Sequence, residues 1–263
     1  MSTPKPDVTV VLPCAGLGVR FGAPYSKELH CLAPGVSVID RSLETVVELA
    51  GSGLEVRVVV VFRAHKLDVV AHLAHYTRDV RMVFVYQDES FGDDLGGAIR
   101  TALPLAEGHV VLVLPDITLH GPGSEGSLVE AVRRTPASGW CVVAARTGPD
   151  ALTELGALRL DGHGDGTRVV AAEEKPARPD GYNAAWAMVV ASPEEAHRLP
   201  DIASRGADSP LVGAQAVEVA GFTNFNSALT ADPTSRPGPP ARTSRPAPPA
   251  APPEQPDSPA LTA

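Results

Sequence analysis

The sequence predicts an α/β fold: a doubly wound core around a mixed, mostly parallel central sheet, followed by a disordered C-terminal tail. Three observations predict it. Apolar, β-branched runs near 8–12, 56–61 and 110–114 suit strands buried on both faces of a parallel sheet. Between them, apolar residues recur at i, i+3 and i+4, the period of a helix with one buried face. From Asp232 onward the composition shifts to proline and small polar residues.

In order, strands are expected at 8–13, 55–62, 81–86 and 109–114, with helices at 38–50, 64–75 and 94–105. Strands alternating with helices argue for right-handed βαβ units. After residue 115 the connections shorten. Strands at 140–145, 155–160, 168–173 and 184–191 then belong to a sheet with some antiparallel members, and a helix is expected at 193–199. Residues 232–263 contain eleven prolines and almost no large apolar side chains, too few to offset their ordering entropy. The chain therefore divides into a domain at 1–231 and a Pro-rich tail at 232–263, which is either inert or a docking segment for a partner.

Bulk properties narrow the function. The 263 residues suit one α/β domain with an appendage. With a net charge of −9 and no long basic run, a nucleic-acid surface is not expected. Cys14, Cys31 and Cys141 are far apart and match no metal spacing, which suits a reducing, cytoplasmic setting. The first residues lack the apolar stretch of a signal peptide, and no apolar run is long enough to span a membrane. The eight histidines show no ligand spacing.

The most informative stretch is 12–29, Leu-Pro-Cys-Ala-Gly-Leu-Gly-Val-Arg-Phe-Gly-Ala-Pro-Tyr-Ser-Lys-Glu-Leu. A strand runs into a loop containing Gly16 and Gly18, closed by Arg20 and followed by Lys27. Glycines let the backbone approach a polyphosphate, and successive loop N–H groups can point at its oxygens. Arg20 offers a fork of donors and Lys27 a point charge. A Gly-rich turn with two surface cations is the plainer reading. Further on, Asp116 ends an apolar strand, where it can hold Mg²⁺ through hard oxygens or simply cap a turn. Glu174 and Lys175 end another strand, as ligands for hydroxyls and phosphate or as a solvated charged end.

The motif Pro-x-Ala-Gly-Leu-Gly-x-Arg, then Pro-x-x-Lys-x-Leu, resembles the signature of the sugar-1-phosphate nucleotidyltransferases, and most of all their uridylyltransferase branch. The resemblance covers about 8–230. It departs at Val19, where the family has Thr, and at Pro115, which replaces the glycine before the family's metal-binding aspartate. It implies a Rossmann-like nucleotidyltransferase core. It also implies Mg²⁺ on Asp116 and nucleotide held by Ala15, Gly16 and Gly18. Gln87 would read the base, beside the loop carrying Gly96. Gly156, Glu174 and Asn183 would contact the sugar, and Lys175 its phosphate. Arg20, Lys27 and Lys175 are the implied catalytic cations. The second metal ligand, an Asp or Asn in relatives, maps to Asn224, with Glu218 and Asn226 behind it. The segment Tyr182 to Trp186 departs from the usual small-residue pattern, so an unusual acceptor pocket is expected.

The implied reaction is NTP + sugar 1-phosphate → NDP-sugar + pyrophosphate. Two alternatives stand beside it. One is a cytidylyltransferase acting on a non-sugar phosphate or phosphonate. The other is a weakly catalytic regulator that binds nucleotide or sugar phosphate.

Overall fold

The computed structural model describes residues 5–18, 21, 25–203 and 209–225. Arg20, Asn226 and the whole tail at 232–263 lie outside the described residues.

The first half contains β1 (Val8–Pro13), β2 (Cys31–Ala33), β3 (Val36–Ser37), α1 (Val38–Gly51), β4 (Val56–Phe62), α2 (Leu67–Leu73), β5 (Arg81–Tyr86), α3 (Leu95–Ala102) and β6 (His109–Val113). The second contains β7 (Ile117–His120), α4 (Ser127–Arg134), β8 (Trp140–Arg146), α5 (Pro149–Leu152), β9 (Gly156–Asp161), β10 (Arg168–Glu174), β11 (Ala184–Ala191), β12 (Gln215–Val219) and β13 (Gly221–Asn224). Nine strands form one sheet in the order β5-β4-β1-β6-β11-β8-β12-β10-β9. β7 pairs with β13, and β2 with β3, outside it.

β5, β4, β1 and β6 are parallel, as their alternation with helices predicts. The expectation of a mostly parallel sheet needs correction beyond β6. β11 runs antiparallel to β6, β8 and β9, and β10 antiparallel to β9 and β12; only β12 and β8 add a parallel pair. The reason is connection length. β9 and β10 are joined by a short turn holding Gly162 and Gly164, both at positive φ, which can close a hairpin but not a helical crossover. β9 also pairs with β11, so this half curls back on itself.

The strand alternation divides the core. Val8, Val10 and Leu12 face one apolar layer with Ile39, Leu43, Val46 and Leu49 of α1. Val11 faces the opposite layer with Ala98 and Ile99 of α3. Each such fully buried Val or Leu contributes about 1.5–3 kcal/mol. The expected helix at 193–199 is instead a 3₁₀ helix over Ala196–Ala203, with Pro200 inside it. Proline has no N–H to donate and its ring crowds the preceding turn, so an α-helical ladder cannot pass through it. α4 and β12 were not anticipated. No helix is long and apolar enough to cross a membrane among the described residues.

α1 starts on a capping box. The Ser37 amide donates to Asp40 Oδ2 at 2.7 Å, and the Ser37 hydroxyl donates to the same oxygen at 2.8 Å. The other carboxylate oxygen accepts from His72 Nε2 and from the Tyr76 hydroxyl, both at 2.7 Å. Asp40, His72 and His75 bring ligand-type atoms within 4.8 Å of one another, but the carboxylate is spent on joining α1 to α2 and the turn after it. Burial alone would raise the Asp40 pKa. Hydrogen bonds from the Ser37 amide, His72, Tyr76 and the Ser37 hydroxyl outweigh it and hold the carboxyl below its ordinary 3.8.

Asp40→Ala is expected to lower unfolding free energy by about 1–2 kcal/mol, the loss of a helix cap. Because the folded pKa is depressed, the wild-type advantage is complete at neutral pH. It shrinks as pH falls below about 4, where the unfolded carboxyl protonates, and vanishes below the folded pKa. Urea titrations of both proteins between pH 7 and pH 3 measure it.

Candidate active site

β1 lies between β4 and β6. The chain leaves β1 toward β4 on one side, and β6 returns on the other. In open α/β sheets that switch point opens a crevice at the carboxyl ends of the strands. Gly16 follows β1 and Asp116 follows β6, so both reach the crevice from adjacent strands. A cleft of about 240 Å³ lies there. It is lined by Gly16, Lys27 and Asp116 from the first half of the chain and by Gly156, Glu174, Lys175 and Asn224 from the second. Seven of the sequence candidates therefore meet in one place.

Lys27 Nζ lies 2.5 Å from Asp116 Oδ2, and both side chains are largely buried. The residues flanking Lys27 are anchored elsewhere. The Ser26 hydroxyl donates to Asp68 Oδ1 at 2.8 Å. Glu28 Oε2 accepts from Lys66 Nζ at 2.6 Å, in a pair whose side chains are only 1% and 2% exposed. Ser26 and Glu28 thus clamp the segment to the start of α2 while Lys27 reaches the end of β6. Sequence reasoning missed Glu28 and Lys66, because neither position in isolation distinguishes a buried ion pair from two surface charges.

The far wall comes from the antiparallel half. Gly156 opens β9 and pairs in register with Glu174 at the end of β10. Lys175 follows with φ at 50°, and it is the one non-glycine residue with positive φ among the described residues. A left-handed lysine costs about 1–2 kcal/mol. Its amide donates to the Leu155 carbonyl at 3.1 Å, which holds the turn, and its ammonium lies 3.6 Å from Glu174 Oε1. Backbone strain confined to a cleft residue is a feature of working sites.

Asn224 arrives through β13, whose pairing with β7 sets Asn224 opposite Ile117, the residue after Asp116. The Phe225 amide donates to the Asp116 carbonyl at 2.9 Å. Asn224 Oδ1 is buried and has no hydrogen-bond partner among the described residues. A buried, unsatisfied carbonyl oxygen and a carboxylate lining one cleft are the donor types that a hard cation takes. Asp116 and Asn224 therefore fit a Mg²⁺ ion chemically. Glu218 is engaged elsewhere: Arg146 and then Thr167 hydrogen-bond it, and its pKa is lowered, chiefly by Arg146.

The other candidates are distributed around the cleft. Ala15 is buried behind Gly16, and Gly18 has φ at 64°, which its lack of a Cβ permits. Gln87 is 1% exposed, and its amide nitrogen donates to the Gly92 carbonyl at 2.9 Å and more weakly to that of Asp94. Gly96 lies in the first turn of α3, whose cap, Asp94, accepts from the Gly97 amide. Asn183 spends both ends of its amide on Leu160: Oδ1 accepts from the backbone N–H at 2.8 Å and Nδ2 donates to the carbonyl at 3.0 Å. Neither Gln87 nor Asn183 lines the cleft. Trp186 does. A Cβ at residue 156 would stand 1.8 Å from Trp186 Nε1, so the glycine accommodates an indole.

Burial, with the Glu28 charge next, pushes the Cys14 thiol well above its ordinary range, and burial pushes Cys141 up to about 12.

Comparison with solved structures identifies the fold. A UTP-bound UGPase from Acinetobacter baumannii is 18% identical over 85% of this chain and 90% of its own, with a TM-score of 0.59. A Bacillus anthracis protein described as a glucose-1-phosphate thymidylyltransferase, solved with sucrose, is 15% identical over 85% of this chain and 92% of its own, with a TM-score of 0.64. An apo UDP-glucose pyrophosphorylase is 16% identical, with 85% and 94% covered and a TM-score of 0.63. These neighbours are sugar-1-phosphate nucleotidyltransferases, and the chain has their fold. No protein-family model and no curated protein matches it in sequence.

Glu28→Gln removes one partner of the buried pair and strands the Lys66 ammonium. Such breaks cost about 3–5 kcal/mol. The urea midpoint should fall accordingly, and Glu28→Gln combined with Lys66→Met should recover part of the loss. Equal midpoints for wild type and the single variant would remove the pair from the site's support.

Proposed function

We propose that this protein transfers a nucleotidyl group from an NTP to a phosphate-bearing acceptor and releases pyrophosphate, with a sugar 1-phosphate as the acceptor class implied by its motifs. The observation that carries the proposal is the convergence of Lys27, Asp116 and the unpartnered Asn224 Oδ1 at the switch point, opposite Glu174 and Lys175.

The chemistry asks little of a protein base. A phosphate monoester has its second pKa near ~6, so its attacking oxygen is already ionised at neutral pH. That oxygen forms a bond to the α-phosphorus while the bond from the α-phosphorus to the bridging oxygen breaks in line. The electron pair leaves with pyrophosphate. Catalysis is then orientation and charge neutralisation. The glycine loop at Gly16 and Gly18 would receive the triphosphate, and Lys27 would neutralise the α-phosphate. Arg20, outside the described residues, is the cation proposed for the leaving pyrophosphate. Lys175 would hold the acceptor phosphate and Glu174 its hydroxyl groups. Asp116 and Asn224 would hold Mg²⁺, which when bound supplies positive charge to the phosphate oxygens.

A second reading replaces the sugar with a non-sugar phosphate or phosphonate. The observation favouring it is Trp186, which fills the space beside Gly156.

The test is a matrix of NTPs against phosphate acceptors, with Mg²⁺, read as pyrophosphate release. Activity with at least one pair is expected. Asp116→Asn should abolish it in a protein that remains folded by circular dichroism, with a lowered melting temperature because Lys27 loses its partner. Asn224→Ala should do less and should raise the Mg²⁺ concentration needed for half-maximal rate, because a neutral amide binds a hard cation more weakly than a carboxylate. The reverse order of severity would move the metal elsewhere. Binding of NTP without pyrophosphate release from any pair would favour a regulatory role.

A further inference from the structure

We propose that Trp186 selects the acceptor, and that it restricts the site to compact phosphate or phosphonate monoesters in preference to hexose 1-phosphates. This rests on the nucleotidyl-transfer reading and names the substrate class of the same cleft.

The indole lines the cleft beside Gly156, Glu174 and Lys175, the residues proposed for the acceptor. Gly156, Glu174 and Lys175 share the far wall, with Gly156 in register beside Glu174. The pyrrole edge of Trp186 presses on that wall: Nε1, Cε2 and Cδ1 lie 1.8, 2.4 and 2.6 Å from the position of a Cβ on residue 156. The Cβ side of Gly156 is therefore covered by tryptophan. The wall is also fixed. Trp186 is 6% exposed and packs in the core layer that includes Leu158, Ala144 and Ala184, so the ring cannot swing aside without opening that layer. The cleft of about 240 Å³ must also take the reacting end of the NTP. Pockets that enclose drug-sized ligands run to about 300–1,000 Å³.

The experiment compares glucose 1-phosphate with hydroxyethyl phosphate and hydroxyethylphosphonate as acceptors, reading pyrophosphate release. It uses wild type, Trp186→Thr and Trp186→Phe; the milder Phe change keeps an aromatic core residue should the Thr variant fold poorly. Wild type should favour the short acceptors by about tenfold or more in kcat/KM. Trp186→Phe, and more so Trp186→Thr, should raise kcat/KM for glucose 1-phosphate while the KM for the nucleotide is unchanged. The two hydroxyethyl compounds separate a phosphate ester from a phosphonate as the preferred form. A parallel titration follows fluorescence in a Trp140→Phe background, where Trp186 is the remaining tryptophan of the two. Short acceptors should change the emission and glucose 1-phosphate should not.

Equal turnover of all three acceptors, unaffected at residue 186, would overturn the Trp186 assignment and leave nucleotidyl transfer standing. A selective fluorescence response without pyrophosphate release from any NTP would do the opposite: the acceptor subsite would stand and the transfer reading would fall. Neither response would overturn both.

Discussion

The buried ion pair between Glu28 and Lys66 is the constraint on which the site depends. Two charges that are 1% and 2% exposed cannot be left unpaired, so the chain must bring the segment after the glycine loop against the start of α2. Ser26 and Asp68 repeat the attachment one turn away. With Ser26 and Glu28 committed, Lys27 extends to Asp116 at the end of the neighbouring parallel strand. Four charges then alternate in sign around the buried Cys14, whose thiol registers all of them. A pair of this kind adds little net stability against an apolar alternative, so its value here lies in fixing where Lys27 points.

The two halves of the sheet do different work. The parallel half is regular and supplies the switch point, where Gly16 and Asp116 follow neighbouring strands. The mixed half carries the irregularities: a register shift after Trp186, another after Val169, and the left-handed Lys175. Its curl turns Gly156, Glu174 and Lys175 toward the cleft. The short β7–β13 pair sets Asn224 opposite Ile117, the residue that follows Asp116.

Gly156 illustrates how one residue type supports opposite readings. A glycine ahead of a strand can admit a ligand, make a turn or clear room for a neighbour. Here the neighbour is an indole thirty positions further along, reached through the pairing of β9 with β11. The tryptophan was visible in the sequence as a departure from a small-residue pattern. Its consequence for cleft size was not, because that depends on the strand it lies against.

By itself the sequence determined the alternation of strands and helices, the glycine loop after β1, and the acids and lysines at strand ends. Those signals are local: they follow from side-chain period, from glycine's freedom and from the spacing of charges. Only the tertiary structure decided the rest. It made the second half of the sheet mixed, with β11 and β10 antiparallel to their neighbours and β12 parallel to β8. It buried Glu28 against Lys66 and brought Asn224 into one cleft with Asp116, while Gln87 and Asn183 were drawn into backbone hydrogen bonds. Each of these depends on which strands are neighbours. The free energy of a buried charge or amide comes from partners distant along the chain, and no local pattern records them.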